Sequence, residues 1–119
     1  MFNKMVIPTG GGSGNNVYVE TIPANTTGDY TINCGFKAKY ICLAGSVTGS
    51  GGKYYPHELY YNADIDPDKY YQATGNPSGM TQYSIGSGAN NPILKSITDT
   101  SVVITTPSSS SIAGLIITD

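Results

Sequence analysis

From Val17 onward, apolar and polar residues exchange places at every step of the chain. Val17, Val19 and Thr21 alternate with Tyr18 and Glu20, and Tyr30, Ile32 and Cys34 alternate with Thr31 and Asn33. A period of two puts successive side chains on opposite faces of an extended strand. The run Tyr40-Ile41-Cys42-Leu43-Ala44 breaks the alternation by being apolar throughout, which is the pattern of a central strand covered on both faces. Further strands are predicted over Tyr54–Tyr61, Lys69–Thr74, Met80–Ile85, Ile93–Thr98, Ser101–Thr105 and Ile112–Thr118, where β-branched and aromatic residues dominate. Turn chemistry separates nearly all of them. Gly49-Ser50-Gly51-Gly52, Asp66-Pro67-Asp68 and the stretches from Gly75 to Gly79 and from Gly86 to Pro92 supply positive φ, a fixed φ or a side-chain-capped turn. No window sustains an apolar stripe of helical period. The pattern predicts an all-β protein, an antiparallel two-layer β-sandwich of jelly-roll or immunoglobulin-like type with about eight to nine short strands.

The first residues follow another rule. Met5-Val6-Ile7-Pro8 is a short apolar piece, and Gly10-Gly11-Gly12-Ser13-Gly14-Asn15-Asn16 behind it is a flexible tether in which a rigid fold is entropically costly. The chain therefore divides into an N-terminal arm and Gly-rich tether, residues 1–16, and a β-sandwich domain, residues 17–119, a length that suits one core and would starve two. Two readings of the arm stay open: a disordered terminus, or a segment that docks on a neighbouring subunit with Met5, Val6 and Ile7 as its partner-binding residues. The apolar run is too short for a signal peptide, and no later run approaches the length of a membrane span, so membrane insertion is not expected.

Charge narrows the function. Charged residues make up 12% of the chain and the net charge is −2, while 15 Gly and 10 Tyr describe a turn-rich surface whose solubility rests on uncharged polar groups. The basic residues are all lysines, Lys4, Lys37, Lys39, Lys53, Lys69 and Lys95. The planar guanidinium fork that reads phosphate and guanine bidentately is missing, and nucleic acid is not an expected partner. Cys34 and Cys42 could face each other across a hairpin, yet two cysteines without an export signal are expected to be free thiols.

Residues that carry chemistry are sparse. His57, Glu20 and Glu58 leave most hydrolytic or acid–base constellations short of a member, so no enzymatic activity and no catalytic residue is expected. Adjacent strand residues such as His57 and Glu58 point to opposite faces and do not form a dyad. Asp64, Asp66 and Asp68 have the spacing that opens a calcium loop, but Lys69 stands where that loop needs glycine and Gly75 where it needs a bidentate glutamate. A tight turn explains them better. Gly52-Lys53 fails as a phosphate loop, because Val47 stands at the first glycine and Tyr54 replaces the magnesium-binding hydroxyl. Neither a metal nor a cofactor is expected. Tyrosine remains: Tyr54-Tyr55, Tyr60-Tyr61 and Tyr70-Tyr71, with Tyr83, place rings on both faces of two neighbouring strands. Rings turned away from the core offer rigid area and a hydroxyl for glycan or protein contact, with Tyr55, Tyr61 and Tyr71 as the candidates. Ordinary cross-strand ladders on a half-wet sheet are the alternative.

Three segments carry a likeness: Asn33-Cys34-Gly35-Phe36-Lys37-Ala38-Lys39-Tyr40-Ile41; Tyr60-Tyr61-Asn62 with its acidic turn and Lys69-Tyr70-Tyr71; and Ile97-Thr98-Asp99-Thr100-Ser101-Val102. Together they resemble small β-sandwich virion structural proteins of tailed phages and prophages of Gram-positive bacteria, of the tail-fibre, baseplate or head-decoration type. Met5-Val6-Ile7-Pro8-Thr9-Gly10-Gly11-Gly12 is similar to leaders of such proteins, while Ala38 departs from a common proline and Ser101-Val102 from a usual Gly-Phe. The resemblance implies a virion component, present in the host cytoplasm during assembly, with other virion proteins as partners and a homo-oligomeric state for which a trimer is suggested. It carries over no functional residue. A second function stays open: a carbohydrate-binding module that attaches to host surface glycan through exposed tyrosines.

Overall fold

The computed structural model describes residues 4–8, 16–23, 26–48, 54–74, 80–88, 92–106 and 110–119, and every helix or strand among them is a strand. There are ten: β1 (Lys4–Pro8), β2 (Asn16–Ile22), β3 (Gly28–Ile32), β4 (Tyr40–Thr48), β5 (Tyr54–Asn62), β6 (Lys69–Thr74), β7 (Met80–Ser84), β8 (Ile93–Ile97), β9 (Val102–Thr106) and β10 (Ser110–Thr118). They form two antiparallel sheets, one of seven strands in the order β1-β2-β10-β4-β5-β6-β7 and one of three in the order β3-β9-β8. The fold is all-β in two layers, as the alternation predicts.

Two assignments differ from the pattern. β1 lies within the segment read as an arm; its backbone pairs with β2 at the edge of the large sheet, Met5 opposite Val19, Val6 opposite Tyr18 and Ile7 opposite Val17. Of the tether read over Gly10–Asn16, residues 10–15 lie outside the described residues, and Asn16 is the first residue of β2. β3 sits two residues earlier than the alternation places it. Gly28 and Asp29 pair with Thr106 and Thr105 of β9, while Cys34 leaves the strand and donates its thiol hydrogen to the Phe36 carbonyl at 3.1 Å. Gly35 makes that exit possible at φ 88°, a region L side chains avoid. Its N–H donates to the Thr100 carbonyl at 2.9 Å, tying this loop to the β8–β9 turn.

The core lies between the layers. On the inner face of the large sheet, Leu115, Leu43 and Leu59 line up across β10, β4 and β5, with Ile117, Ile41 and Tyr61 in the next row. Ile32, Leu94, Val102 and Ile104 of the small sheet close over them, and all of these side chains are buried. At the foot of the sheet the last residue clamps the first of β2: the Asn16 backbone N–H and side-chain amide donate to the two Asp119 carboxylate oxygens at 2.9 and 3.1 Å.

Candidate functional site

The two outer faces of the sandwich are finished differently. On the small sheet most outward positions are polar, Asp29, Thr31, Lys95, Ser96 and Thr105, with the half-buried Val103 among them. Asp29 accepts from Lys95 and from the Thr105 hydroxyl, the latter at 2.8 Å, and these donors, Lys95 first, hold its carboxyl below the usual range. A face of this kind is complete in water.

The outer face of the large sheet is not. Strand alternation leaves one row running across six strands, Val19, Ile116, Cys42, Tyr60, Tyr71 and Gln82, each opposite the next in register. A second row runs beside it: Thr21, Gly114, Ala44, Glu58, Ala73 and Met80. Ile116 and Met80 are each 49% exposed and Val19 is 38% exposed, so three of the four large hydrophobic side chains in water among the described residues share this face. Cys42 and Ala44 are exposed as well. The small side chains at the centre make a shallow trough of about 570 Å³, walled by Val19 and Ile116 on one side and Tyr60 and Met80 on the other. Glu58 is the one carboxylate in the two rows, which hold no lysine or histidine.

β4 is the middle strand of the seven, as its uniformly apolar run implies, but it is covered on one face only. Ile41 and Leu43 are buried, whereas Cys42 and Ala44 face outward into the trough. The three-stranded layer supplies a single cover, because the chain has no further strands or helices among the described residues to lay on the other side.

The tyrosines separate by parity. Tyr61 points into the core at 4% exposure, and its hydroxyl donates to the Pro67 carbonyl at 3.2 Å; burial first, then Asp68 and Asp66, pushes its pKa up. It is therefore not an exposed contact residue. Tyr71 does lie on the outer face, where its ring stands 6.5 Å from that of Tyr60 at a 39° tilt. The Asn62 amide donates to the Tyr60 hydroxyl at 3.0 Å and the Gln82 amide to that of Tyr71 at 3.3 Å, which fixes both rings. Tyr55 is placed opposite Val47 by the backbone, and its side chain is outside the described residues, as are those of Met5, Val6 and Ile7. The outward aromatic pair is thus Tyr60 and Tyr71. Register decides this, since a slip of one residue would exchange Tyr60 for Tyr61.

Asp64, Asp66 and Asp68 form the turn that their proline implies. Asp64 N–H donates to the Asn62 side chain and Asp68 N–H to the Asp66 carboxylate, both at 2.9 Å. The Asp64 carboxylate accepts from the Tyr40 hydroxyl and meets Lys39 Nζ at 3.2 Å; that hydroxyl first, then Lys39, lowers its pKa. Both cysteines are free thiols, Cys34 buried and Cys42 exposed.

One polar group is buried on the inner face without full satisfaction. Glu20, 5% exposed, accepts from the Tyr18 hydroxyl at 2.6 Å through Oε1, while Oε2 has no hydrogen-bond partner. Nothing in the alternation distinguishes this position from an outward one, because Glu20 reads as the polar half of β2.

The chain matches no protein-family model, no curated protein and no solved structure.

Proposed function

We propose that this chain is a structural subunit of a larger protein particle, of the virion type that its turn and tyrosine segments resemble, acting by assembly and surface display. The observation that carries this reading is the water-exposed apolar face of the seven-stranded sheet. A contiguous apolar surface rimmed by polar residues marks a contact with another macromolecule, and on this chain Val19, Ile116, Cys42, Ala44, Tyr60 and Met80 form one across the middle of the outer face of the large sheet. The outer edge of β1 adds a row of backbone donors and acceptors to which a neighbouring virion protein can add a strand. Met5, Val6 and Ile7 are the contacts of that edge.

Purified particles from the source of this chain test the reading. Quantitative mass spectrometry should find the chain at a fixed stoichiometry to the major capsid and tube proteins, in hundreds of copies for a head decoration or in few for a fibre or baseplate part. Deleting residues 1–8 should lower incorporation while the remaining sandwich stays folded. Particles that never contain the chain would refute the proposal.

A second reading is favoured by Tyr60 and Tyr71, whose neighbouring rings with amide-anchored hydroxyls form the kind of platform on which a sugar ring stacks. Binding on a glycan array that vanishes with Tyr60→Ala and Tyr71→Ala, and survives Tyr61→Phe, would establish host-glycan attachment at this face. A silent array would remove it.

A further inference from the structure

β4 carries an inference about what covers the large sheet. Its sequence, apolar at every position from Ile41 to Ala44, is that of a strand packed on both sides, yet the fold packs only one. Ile116, flanked by Leu115 and Ile117 in β10, repeats the mismatch next door. We infer that a second copy of this chain supplies the missing layer, in a face-to-face pair related by a two-fold axis that runs along β4. This rests on reading the chain as an assembling subunit and names the partner of that same face.

Three features select a second copy over another partner. The first is charge. Glu58 is the one carboxylate in the two rows, which hold no lysine or histidine, so the face has little field with which to steer or select a basic or acidic partner; an equally neutral face is its complement. The second is the order of strands. β10 and β5 flank β4, and β2 and β6 flank those. Rotation about an axis parallel to β4 and midway between the two faces therefore lays Ile116 against Tyr60 of the second copy and Val19 against Tyr71 of the second copy, branched aliphatic on aromatic. Cys42 and Ala44, the small side chains, meet their own counterparts on the axis. Glu58 falls opposite Gly114 of the second copy, and above Gly114 there is open space where a Cβ would stand. The third is area. Six strands spaced at about 4.8 Å, with two to three outward positions on each, present roughly 500 Å² per copy and about 1,000 Å² per pair, the lower bound of a specific interface.

Interfaces of this size are weak, so the dissociation constant is expected on the order of 10 to 100 μM. Sedimentation velocity on the full chain from about 1 to 500 μM should show a monomer–dimer equilibrium. Ile116→Asp should weaken it at least tenfold, with the circular dichroism spectrum unchanged because the side chain points away from the core. Cys42, the exposed one of the two thiols, reports directly: its reaction with a maleimide should slow several-fold at high protein concentration, and a short bis-maleimide should join two chains in a product absent from Cys42→Ser. Should Ile116→Asp not fold, the Cys42 protection in the unaltered chain decides alone. A monomer throughout this range, a trimer, or association that leaves Cys42 fully reactive overturns the pairing. A chain that enters particles but stays monomeric in solution overturns this pairing and leaves the structural role standing; a dimer absent from particles does the reverse.

Discussion

Replacing Tyr70 with Phe isolates one hydroxyl that the fold has taken out of water. Tyr70 is fully buried in β6, and its hydroxyl donates to the Ser87 carbonyl at 2.6 Å. Removing the oxygen keeps the ring and its packing but strands that carbonyl, a loss of about 1 kcal/mol at neutral pH. Alkaline pH reverses the comparison. Burial raises the Tyr70 pKa from 10.0 to about 12, so the unfolded chain gives up this proton before the folded one does. The stabilisation linked to the neutral hydroxyl is complete below pH 10.0 and disappears as pH rises through about 12. Two units correspond to about 2–3 kcal/mol, of which roughly half is gone by about pH 11. Urea unfolding followed by circular dichroism from about pH 7 to pH 12 should therefore show wild type ahead of Tyr70→Phe at neutral pH, the two meeting near pH 11, and the variant ahead beyond it. Tyr18 and Tyr61, whose pKa values are also raised by burial, tilt both curves equally and drop out of the difference. Curves that stay parallel across the whole range would refute the account, because they would mean that the Tyr70 hydroxyl ionises no less readily in the folded protein than in the unfolded one.

Two further changes test the same interior. Gly88→Ala sets a methyl group 2.3 Å from the Tyr70 hydroxyl oxygen and 3.1 Å from Ile93, and should cost about 2 kcal/mol in thermal or urea unfolding; in the Tyr70→Phe background much of that penalty should vanish, a coupling that a double-mutant cycle reads directly. Glu20→Gln keeps an acceptor for the Tyr18 hydroxyl while replacing a buried carboxyl with one unpartnered oxygen, and should raise stability by about 1 kcal/mol; a less stable variant would mean that a neighbour, with the Tyr30 hydroxyl the first candidate, compensates the carboxyl.

Strand positions were largely legible because period-two alternation is a local property. β5, β6, β7 and β8 begin at the residues the pattern picks, and the Asp66-Pro67-Asp68 turn falls between Asn62 and Lys69 as its chemistry requires. β3 lies two residues ahead of the alternation because Asn33 and Cys34 continue the period-two pattern, whereas Gly35 and the Thr100 carbonyl draw the chain into a loop. β1 was hidden for a different reason. A five-residue apolar strand beside a glycine tether has no internal signal of pairing; its partner, β2, supplies it.

The outward site divides along the same line. The amino-acid sequence by itself determined that this is an antiparallel β-protein, that Tyr40 to Ala44 form its spine, and that rings stand on both faces of the middle hairpin. Which ring of each pair meets water, Tyr60 or Tyr61, was decided only by the tertiary structure, since alternation defines two faces without saying which one the second sheet will cover. The decision came from long-range pairing: β3, β8 and β9 fold over Ile41, Leu43 and Leu59, and so leave Val19, Ile116, Cys42, Tyr60 and Met80 on the side they do not reach.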